Sequence, residues 1–368
     1  MNCKHFGTCG GCTLPGVPYA EQLAKKRKDL SRLLGIDVPP VIPSPSESGF
    51  RSKVAFVFGA SRDALVMGHY ALGSQRIIPI EECPVHHERG NRIAFALGDR
   101  LARARVAPGI LRHIVIRTTA DGREASAMLV VRRNDKSLRK PVKGLLAAAE
   151  RPDGFFVNIH TKPGPYMVGD ETIKIEGRSH VKETVGGLSY LVSPTAFFQT
   201  NVGAAEILVR LVVEAVGQSR RVLDLYCGSG LFSLPLAKAG AMVTAVEENR
   251  QAIADAESNV RLNRLSGPIR FVASRVEDTL MRLGNDSWDA VVLDPPRQGA
   301  PAAVLAAVFE QIRPSSVVYV SCNPDALAKE LPVILKSGYR VSRVQPVDMF
   351  PHTDHIETVM VFERGPLR

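Results

Sequence analysis

The sequence lacks any apolar run of about 18 residues, the minimum for a helix that crosses a bilayer, so no membrane partner is predicted. Its first residues, MNCKHFGTCGGC, lack the apolar segment of a signal peptide. We therefore expect a cytoplasmic protein, in which disulfides are rare and cysteines serve more often as ligands or nucleophiles. Only six cysteines are present, so the position of each one is informative.

The first half of the chain predicts an α+β domain over residues 1–190. Apolar residues at helical spacing predict a helix over Tyr19–Leu34. A segment rich in proline and serine then breaks the chain, and short alternating strands follow from residue 50 onward. One further helix is expected near residues 139–150.

The pattern changes after Pro194. A helix is predicted over Gln199–Val216, and short apolar strands then alternate with helices. This rhythm predicts a doubly wound, mostly parallel α/β sheet in a second domain, residues 191–368. The last two strands, Tyr339–Pro346 and Ile356–Glu363, are separated by a short turn region and are expected to pair antiparallel at the sheet edge.

The excess positive charge lies in the first half. Residues 1–190 hold 29 Lys and Arg against 18 Asp and Glu, and residues 191–368 hold 18 against 19, which together give the net charge of +10. A basic first half predicts a polyanion as partner, although arginine-rich surfaces also arise from genome composition. The basic runs at 25–28 and 131–140 fit both phosphate contacts and ordinary solvated faces.

A glycine-rich turn, DLYCGSG at residues 224–230, follows a predicted strand and enters a helix. Glycine there lets a ligand approach the backbone, so we expect Gly228 to contact it, whereas Cys227 is expected to pack. The third glycine of a dinucleotide fingerprint is missing, because position 233 is serine. Glu247 ends the next strand, where a carboxylate can accept both ribose hydroxyls. The combination favours S-adenosylmethionine over NAD.

Asp294 and Cys322 are predicted at the ligand-binding edge of the same sheet. Asp294 ends one apolar strand, and Cys322 ends the next, before the break at Asn323-Pro324. Arg297 follows Asp-Pro-Pro where amino-group methyltransferases carry a base-stacking aromatic residue, and the Pro-Cys pair of DNA cytosine enzymes is missing. DNA is therefore not the predicted partner. Considered without the other motifs, Cys322 is also consistent with a small buried apolar residue.

Eight segments follow one another along the chain: Cys-x5-Cys-Gly-x-Cys at the N-terminus, FRSKVAF (50–56), EECP (81–84), SPTAFFQTN (193–201), DLYCGSG, DPPRQG, SCNP and PHTDHIETV (351–359). Taken together, they resemble the uracil-C5 RNA methyltransferase family, in its iron–sulfur 23S ribosomal RNA branch. The resemblance implies a seven-stranded class I methyltransferase fold, preceded by an RNA-binding domain that carries a cluster. The chain begins at the cysteine motif, which leaves no room for an N-terminal TRAM module and favours the shorter subgroup.

The resemblance also implies roles for individual residues. Cys322 is expected to be the nucleophile and Glu357 the general base, with S-adenosylmethionine as the methyl donor. Positions that contact this cofactor in the family are matched by Gln199, Tyr226, Glu247 and Asp294. Ligands of a [4Fe–4S] cluster are matched by Cys3, Cys9, Cys12 and Cys83.

These residue types suit methylation of uracil at C5. A thiolate that adds to C6 turns the ring into an enolate, which makes C5 nucleophilic. A carboxylate must then remove the C5 proton before the enzyme is released. Glu357 also fits a surface acid at a strand end, and Asp294 could hold either the base or the cofactor amine. His352 and His355 could polarise a uracil carbonyl, but we expect them to cap the turn.

The four cysteines outside the catalytic half are compatible with more than one kind of metal site. Spacing alone leaves a tetrahedral zinc site open. A fourth ligand about 70 residues beyond the other three suits a larger cluster better, as does the resemblance. The spacing disfavours a radical enzyme, and we expect the cluster to pin the N-terminus in place.

The predicted function is methylation of one uridine of 23S ribosomal RNA to 5-methyluridine by a monomeric enzyme. The uridine must be flipped out or lie in a loop, because C6 is unreachable inside a stacked helix. Two alternatives remain: the same chemistry on transfer RNA, and a non-catalytic RNA-binding cluster protein. Intact Cys322 and Glu357 disfavour the second alternative.

Overall fold

The computed structural model describes residues 3–14, 16–61, 64–162, 167–283 and 286–365. The helices of these segments are α1 Tyr19–Leu34, α2 Glu88–Arg103, α3 Arg139–Leu146, α4 Val202–Val216, α5 Ser233–Lys238, α6 Arg250–Leu262, α7 Val276–Leu283, α8 Ala302–Ala306 and α9 Pro324–Lys336. Their strands are β1 Lys53–Ser61, β2 Ala64–Tyr70, β3 Ile77–Pro79, β4 Leu111–Thr118, β5 Ala125–Val131, β6 Gly154–Ile159, β7 Glu171–Gly177, β8 Val181–Val185, β9 Leu188–Val192, β10 Arg221–Leu225, β11 Met242–Glu247, β12 Ile269–Ala273, β13 Ala290–Leu293, β14 Ser316–Ser321, β15 Tyr339–Val347 and β16 Glu357–Arg364. No helix in these segments has both the length and the apolar character needed to cross a membrane.

The C-terminal sheet has the strand order β12-β11-β10-β13-β14-β16-β15. Neighbours from β12 to β14 are parallel, and β16 pairs antiparallel with both β14 and β15. This confirms the predicted mostly parallel sheet with an antiparallel pair at its edge. Chain order reverses between β10 and β13, and such a switch point forms a ligand crevice at the carboxyl ends of the strands.

Alternating side chains of this sheet enter two separate apolar cores. Val222 of β10 lies in the core that includes α4, and the next residue, Leu223, lies in the core on the opposite face. Cys227 is buried in the first of these cores, which confirms its predicted packing role. Both faces are therefore covered by helices, as in a doubly wound fold.

Helix α4 begins later than predicted. The side chain of Asn201 accepts a hydrogen bond from the backbone N–H of Ala204 and so caps the helix. The helix therefore starts at Val202 rather than Gln199, and Gln199 lies in the preceding loop. This loop is attached to the β15–β16 connection, because the Asn201 amide also donates to the Met349 carbonyl.

The N-terminal sheet has the order β3-β2-β1-β4-β5-β6-β7 and is antiparallel except for the β5–β6 pair. Helices α2 and α3 cover one face, where Phe56, Leu97 and Leu145 share a core. This is the predicted α+β arrangement, with α3 ending at Leu146 instead of near residue 150. Strands β8 and β9 form a separate hairpin, whose apolar side packs with α4.

Helix α1 packs on the C-terminal sheet although it comes first in the chain. Leu30 and Leu34 belong to the core that contains Leu223. Lys26 is buried and donates to Asp348 at 2.7 Å and to the Phe350 carbonyl at 3.2 Å. The basic run at 25–28 thus serves internal contacts at this residue, rather than a phosphate or solvent. The domain division at residue 190 stays a prediction.

Candidate active site

Three adjacent strands bring the predicted chemistry to one edge of the C-terminal sheet. Asp294 follows β13, Cys322 follows β14, and Glu357 begins β16. Ser321 pairs with Thr358 in the antiparallel register, so the next residue pair places Cys322 opposite Glu357. Residues that face each other across antiparallel strands have Cβ atoms about 5 Å apart. The structure therefore brings the predicted nucleophile and the predicted base together.

The Glu357 carboxyl is buried. The residue is only 4% exposed, and burial raises its pKa well above the usual range. The Asp294 carboxylate raises the pKa further, and the Arg297 guanidinium opposes both effects. Desolvation likewise raises the pKa of Asp294 to about 8, with a contribution from Asp224. In both residues, burial therefore disfavours the ionised carboxylate.

The pKa of the Cys322 thiol is raised as well. Partial burial raises its pKa to about 11, and the charges of Glu357 and Asp294 contribute. Arg297 is the nearby group that lowers it. The free protein accordingly holds a thiol rather than a thiolate near neutral pH, and the nucleophile has to be activated when ligands bind.

Cys322 opens into a cavity of about 470 Å³, here called the catalytic cavity. One wall is helix α1, through Lys25, Leu30 and Leu33, and another is the loop that carries Arg297. The Asn323 amide donates to the Arg297 carbonyl at 2.7 Å and so joins the two catalytic loops. The contribution of α1 was missed from the sequence, where this segment showed only charges and helical spacing.

The two histidines of the β15–β16 connection differ in position. His352 is buried, and its ring contacts the Gln22 amide at 3.1 Å and the Glu47 carbonyl at 2.9 Å. These contacts confirm the predicted structural role for His352. His355 is exposed and lines the catalytic cavity, and its ring also lies edge-on to that of Phe350, so its role in the turn stays a prediction.

A second cavity of about 460 Å³, here called the cofactor cavity, lies beside the glycine-rich turn. Tyr226 and Gly299 line it, and the buried Tyr226 hydroxyl has no hydrogen-bond partner among the described residues. Glu247 accepts the Gly228 N–H through one oxygen at 3.1 Å and the Asn249 N–H through the other at 2.8 Å. Open space lies where a Cβ at Gly228 would stand. An orphaned hydroxyl, an oriented carboxylate and an open backbone suit a polar nucleoside ligand.

Tyr226 is the predicted cofactor residue that lines the cofactor cavity, whereas Gln199, Gly228, Glu247 and Asp294 line neither cavity. Gln199 is 8% exposed in the loop before α4. Its role stays a prediction.

The loop after Asp294 is held in place by Glu330. One carboxylate oxygen accepts the Ala300 N–H at 2.9 Å, and the other accepts the Tyr319 hydroxyl at 2.6 Å. Gly299 has φ +85°, and a Cβ added there would stand 1.9 Å from the first oxygen. Glycine is therefore required at this position both for its backbone conformation and for space.

Substituting this glycine tests whether the loop shapes the cofactor cavity. Gly299→Ala is expected to weaken binding of S-adenosylhomocysteine about tenfold or more, because the added methyl group displaces Glu330 and the loop it anchors. Isothermal titration measures the affinity. Gly338→Ala is the matched control, since Gly338 has φ +87° with nothing within 4 Å of an added Cβ. Equal effects from the two substitutions would show that only backbone strain matters.

The four N-terminal cysteines converge although they are distant in the chain. Cys3, Cys9, Cys12 and Cys83 line one common cavity, together with His69, and none forms a disulfide. The Cys9 sulfur lies 3.4 Å from His69 Nδ1 and accepts the Gly11 N–H at 3.4 Å. Across the described residues, no group of three or more His, Cys, Asp or Glu side chains is arranged to hold a metal ion. The iron–sulfur cluster stays a prediction.

Comparison with known proteins decides the family. The model of the tRNA (Uracil-5-)-methyltransferase family matches residues 18–365. The chain belongs to this family. A crystal structure of Pyrococcus abyssi tRNA (uracil-54, C5)-methyltransferase in complex with S-adenosyl-L-homocysteine is 29% identical, with a TM-score of 0.80 over 96% of this chain and 85% of that chain.

Relatives across bacteria show the same family by sequence. An uncharacterised RNA methyltransferase of Gloeobacter violaceus is 35% identical over 381 residues, which cover 99% of this chain and 82% of that protein. Another from Thermosynechococcus vestitus is 34% identical over 375 residues, covering 97% of this chain and 83% of that protein. This uracil-5-methyltransferase family member is thus an S-adenosylmethionine-dependent RNA methyltransferase with the class I fold.

Proposed function

We propose that the enzyme methylates C5 of one uridine in 23S ribosomal RNA through a covalent bond between Cys322 and C6 of the base. The observation that carries this proposal is the register that places Cys322 opposite Glu357, beside Asp294. Methylation of uracil at C5 needs a thiol and a carboxylate that act on the same base. The ends of these strands supply both groups. The family match supports the reaction class.

The first step belongs to Cys322. Its thiolate adds to C6, the C5–C6 π electrons move toward the C4 carbonyl, and C5 becomes nucleophilic. Arg297 favours the thiolate electrostatically, since it lowers the pKa of Cys322 against the effects of burial and the neighbouring carboxyls. Bound S-adenosylmethionine supplies the methyl group that C5 takes up. Tyr226, Gly228 and Glu247 are the residues that would hold this cofactor.

The second step belongs to Glu357. Its carboxylate removes the proton from C5, the electron pair of that C–H bond restores the C5–C6 double bond, and the C6–S bond breaks. Burial disfavours the ionised carboxylate, which makes it a stronger base once it forms. The released electrons return to Cys322 as a thiolate, which is ready for another turnover.

The choice of 23S ribosomal RNA rests on the cysteine set. Four cysteines line one cavity here at positions that resemble the cluster ligands of an iron–sulfur branch, and the resemblance associates that branch with ribosomal RNA. Transfer RNA is the second candidate, because the Pyrococcus abyssi enzyme with a similar fold acts on uracil-54 of tRNA.

Methylation of defined transcripts tests the function. Purified protein with radiolabelled S-adenosylmethionine is expected to label 23S RNA at one uridine and to leave tRNA transcripts unlabelled. Mass spectrometry of nuclease fragments identifies the position and the 5-methyl group. Label in tRNA alone would assign the second candidate. Absence of label in both RNAs would refute the proposed function.

We also propose that Cys3, Cys9, Cys12 and Cys83 hold a [4Fe–4S] cluster with a structural role. The support is their shared cavity and their free thiols. The cavity joins the N-terminal loop to the EECP segment, which the Lys4–Glu81 ion pair also links to that loop. No step of the uracil chemistry requires electron transfer.

Metal analysis tests the cluster. Anaerobically purified protein is expected to be brown and to contain about four irons per chain, as other four-cysteine clusters do. Cys83→Ala should lose most of the iron and lower the melting temperature. Cys227→Ala, which removes a thiol buried in the other half, should retain all of the iron. Colourless protein with stoichiometric zinc would contradict the assignment.

A further inference from the structure

Exposed cations gather at one end of the N-terminal sheet. Six of them define what we call the distal basic surface: Arg103, Arg105, Arg133, Arg139, Lys140 and Lys143, all exposed. They come from the end of α2, the segment after β5 and helix α3. These parts meet because the Arg132 N–H donates to the Ile110 carbonyl at 2.7 Å and because the Arg100 side chain passes over Gly144 of α3.

The charge of this surface is left largely uncompensated. Among its six residues, all within the described part of the chain, only Arg133 lies within ion-pair distance of a carboxylate, that of Asp135 at 3.3 Å. Helix α1 provides the contrast, since its Lys25 and Lys26 are both paired with acids. Like charges held together without partners repel one another and oppose folding.

The helix dipole explains only part of this arrangement. Cations in the last turn of α2, such as Arg103, are favoured by the partial negative charge of a helix C-terminus. Arg139 and Lys140 instead occupy the first turn of α3, which contains no acidic residue. Cations are unfavourable there, because the N-terminus of a helix carries partial positive charge. A bound polyanion is what turns this arrangement into a favourable one.

The distal basic surface lies far from the catalytic half. The other end of β4 touches that half, where Arg117 donates to the Ala196 carbonyl at 3.1 Å and the neighbouring Ser52 N–H donates to the Thr200 carbonyl at 2.7 Å. Leu111 begins β4 at the basic end, six residues before Arg117. At about 3.3 Å per residue this separation is about 20 Å.

RNA fits this surface better than a protein partner does. Between residues 99 and 146, all of which the structure describes, no large hydrophobic side chain is exposed. Protein interfaces are built around apolar and aromatic side chains, whereas phosphate contacts need only cations. RNA duplexes are A-form, and their base pairs advance less than the about 3.4 Å of B-form DNA, so about 20 Å corresponds to at least about six base pairs.

We propose that the distal basic surface binds the phosphate backbone of the substrate RNA about six or more base pairs away from the target uridine. This inference rests on the proposed function, in that the RNA is the one whose uridine enters the catalytic cavity. Contacts of this kind carry no sequence information, but they set the register of the RNA on the enzyme. The enzyme then recognises an extended helical element and not only the loop that presents the uridine.

The test compares two triple variants on two RNAs. Arg139→Gln/Lys140→Gln/Lys143→Gln neutralises α3, and Lys238→Gln/Arg282→Gln/Lys336→Gln removes the same charge from exposed positions of the catalytic half. One RNA is a stem-loop with the target uridine and about four base pairs. The other extends the same stem to about sixteen base pairs, which is long enough to reach the surface.

The α3 triple variant is expected to bind the long RNA about tenfold more weakly at low salt, with the log–log salt slope reduced by about two units. Its affinity for the short RNA and its kcat at saturating RNA should equal those of the wild type, and the control triple should bind both RNAs normally. Filter binding measures affinity apart from methylation, so an enzyme that binds but methylates neither RNA contradicts the proposed function alone.

Three results would overturn the inference. The first is an unchanged affinity of the α3 triple variant for the long RNA. This is the result expected if the surface binds an acidic protein instead of RNA. Equal weakening on the short RNA would place the contacts near the uridine instead. Equal weakening by the control triple would show that total charge matters and that the location of the cations does not.

Discussion

Cys322→Ala is expected to lower kcat on the order of 10⁴-fold or more, as removal of a catalytic nucleophile does. Without the thiolate, C6 is not attacked and C5 stays a poor nucleophile toward a sulfonium. RNA that contains 5-fluorouridine at the target position makes the step visible. It lacks the proton that Glu357 removes, so the wild-type enzyme should be trapped as a covalent complex that survives a denaturing gel, while Cys322→Ala forms none.

The control for this variant is ligand binding. Cys322 is partly exposed at a strand end, outside both apolar cores, so Cys322→Ala should keep the melting temperature and the affinity for S-adenosylhomocysteine of the wild type. A trapped complex formed by Cys322→Ala would assign the nucleophile to another residue. Loss of cofactor affinity would show that the variant fails for structural reasons.

Glu357→Gln is expected to stop the reaction one step later. Glutamine has nearly the same shape but cannot take up a proton, so the methylated RNA should remain attached to Cys322. Turnover should fall by about 10²–10⁴-fold, the range for loss of a general base. Mass spectrometry of the protein–RNA complex formed with ordinary uridine should find the added methyl group.

Glu363→Gln is the matched control on the same strand. Glu363 forms a surface ion pair with Arg340, and such pairs contribute little to stability. Normal turnover is therefore expected from this variant. Normal turnover from Glu357→Gln as well would refute the assigned base, and an unmethylated covalent complex would place Glu357 before methyl transfer.

The Glu357→Gln variant is also expected to change how the stability of the protein depends on pH. The pKa of Glu357 is raised in the folded protein, so its contribution to stability is present at acidic pH and is lost as pH rises through the folded-state pKa. Glu357→Gln removes that pH-dependent loss. The difference in melting temperature between variant and wild type should therefore increase in favour of the variant from pH 5 to pH 8.

Local sequence patterns determined much of the fold. Apolar runs and their breakers marked the parallel strands, and the bounds of α1 agree with the predicted helix over Tyr19–Leu34. They also placed Asp294 and Cys322 at strand ends, because the residues that end a strand are its neighbours in sequence. Where a cap decided the boundary, as Asn201 does for α4, the prediction missed by three residues.

The position of Glu357 opposite Cys322 was decided by tertiary structure. The resemblance assigned it a role, but its distance from the thiol depends on the register between β14 and β16. Register is set by pairing between strands that are separated by a helix and a further strand, and a slip of one residue would turn the carboxyl to the other face. No local pattern contains that information.

The sequence by itself determined the amount and the sign of the charge, and the tertiary structure decided which cations are available. The Lys26 ammonium looked like part of a basic run, yet it is buried against Asp348, 322 positions away along the chain. The cations of α3 looked no different and remain exposed. Charges interact pairwise through space. The packing of the chain, rather than the order of residues along it, therefore determines which charges lie close to one another.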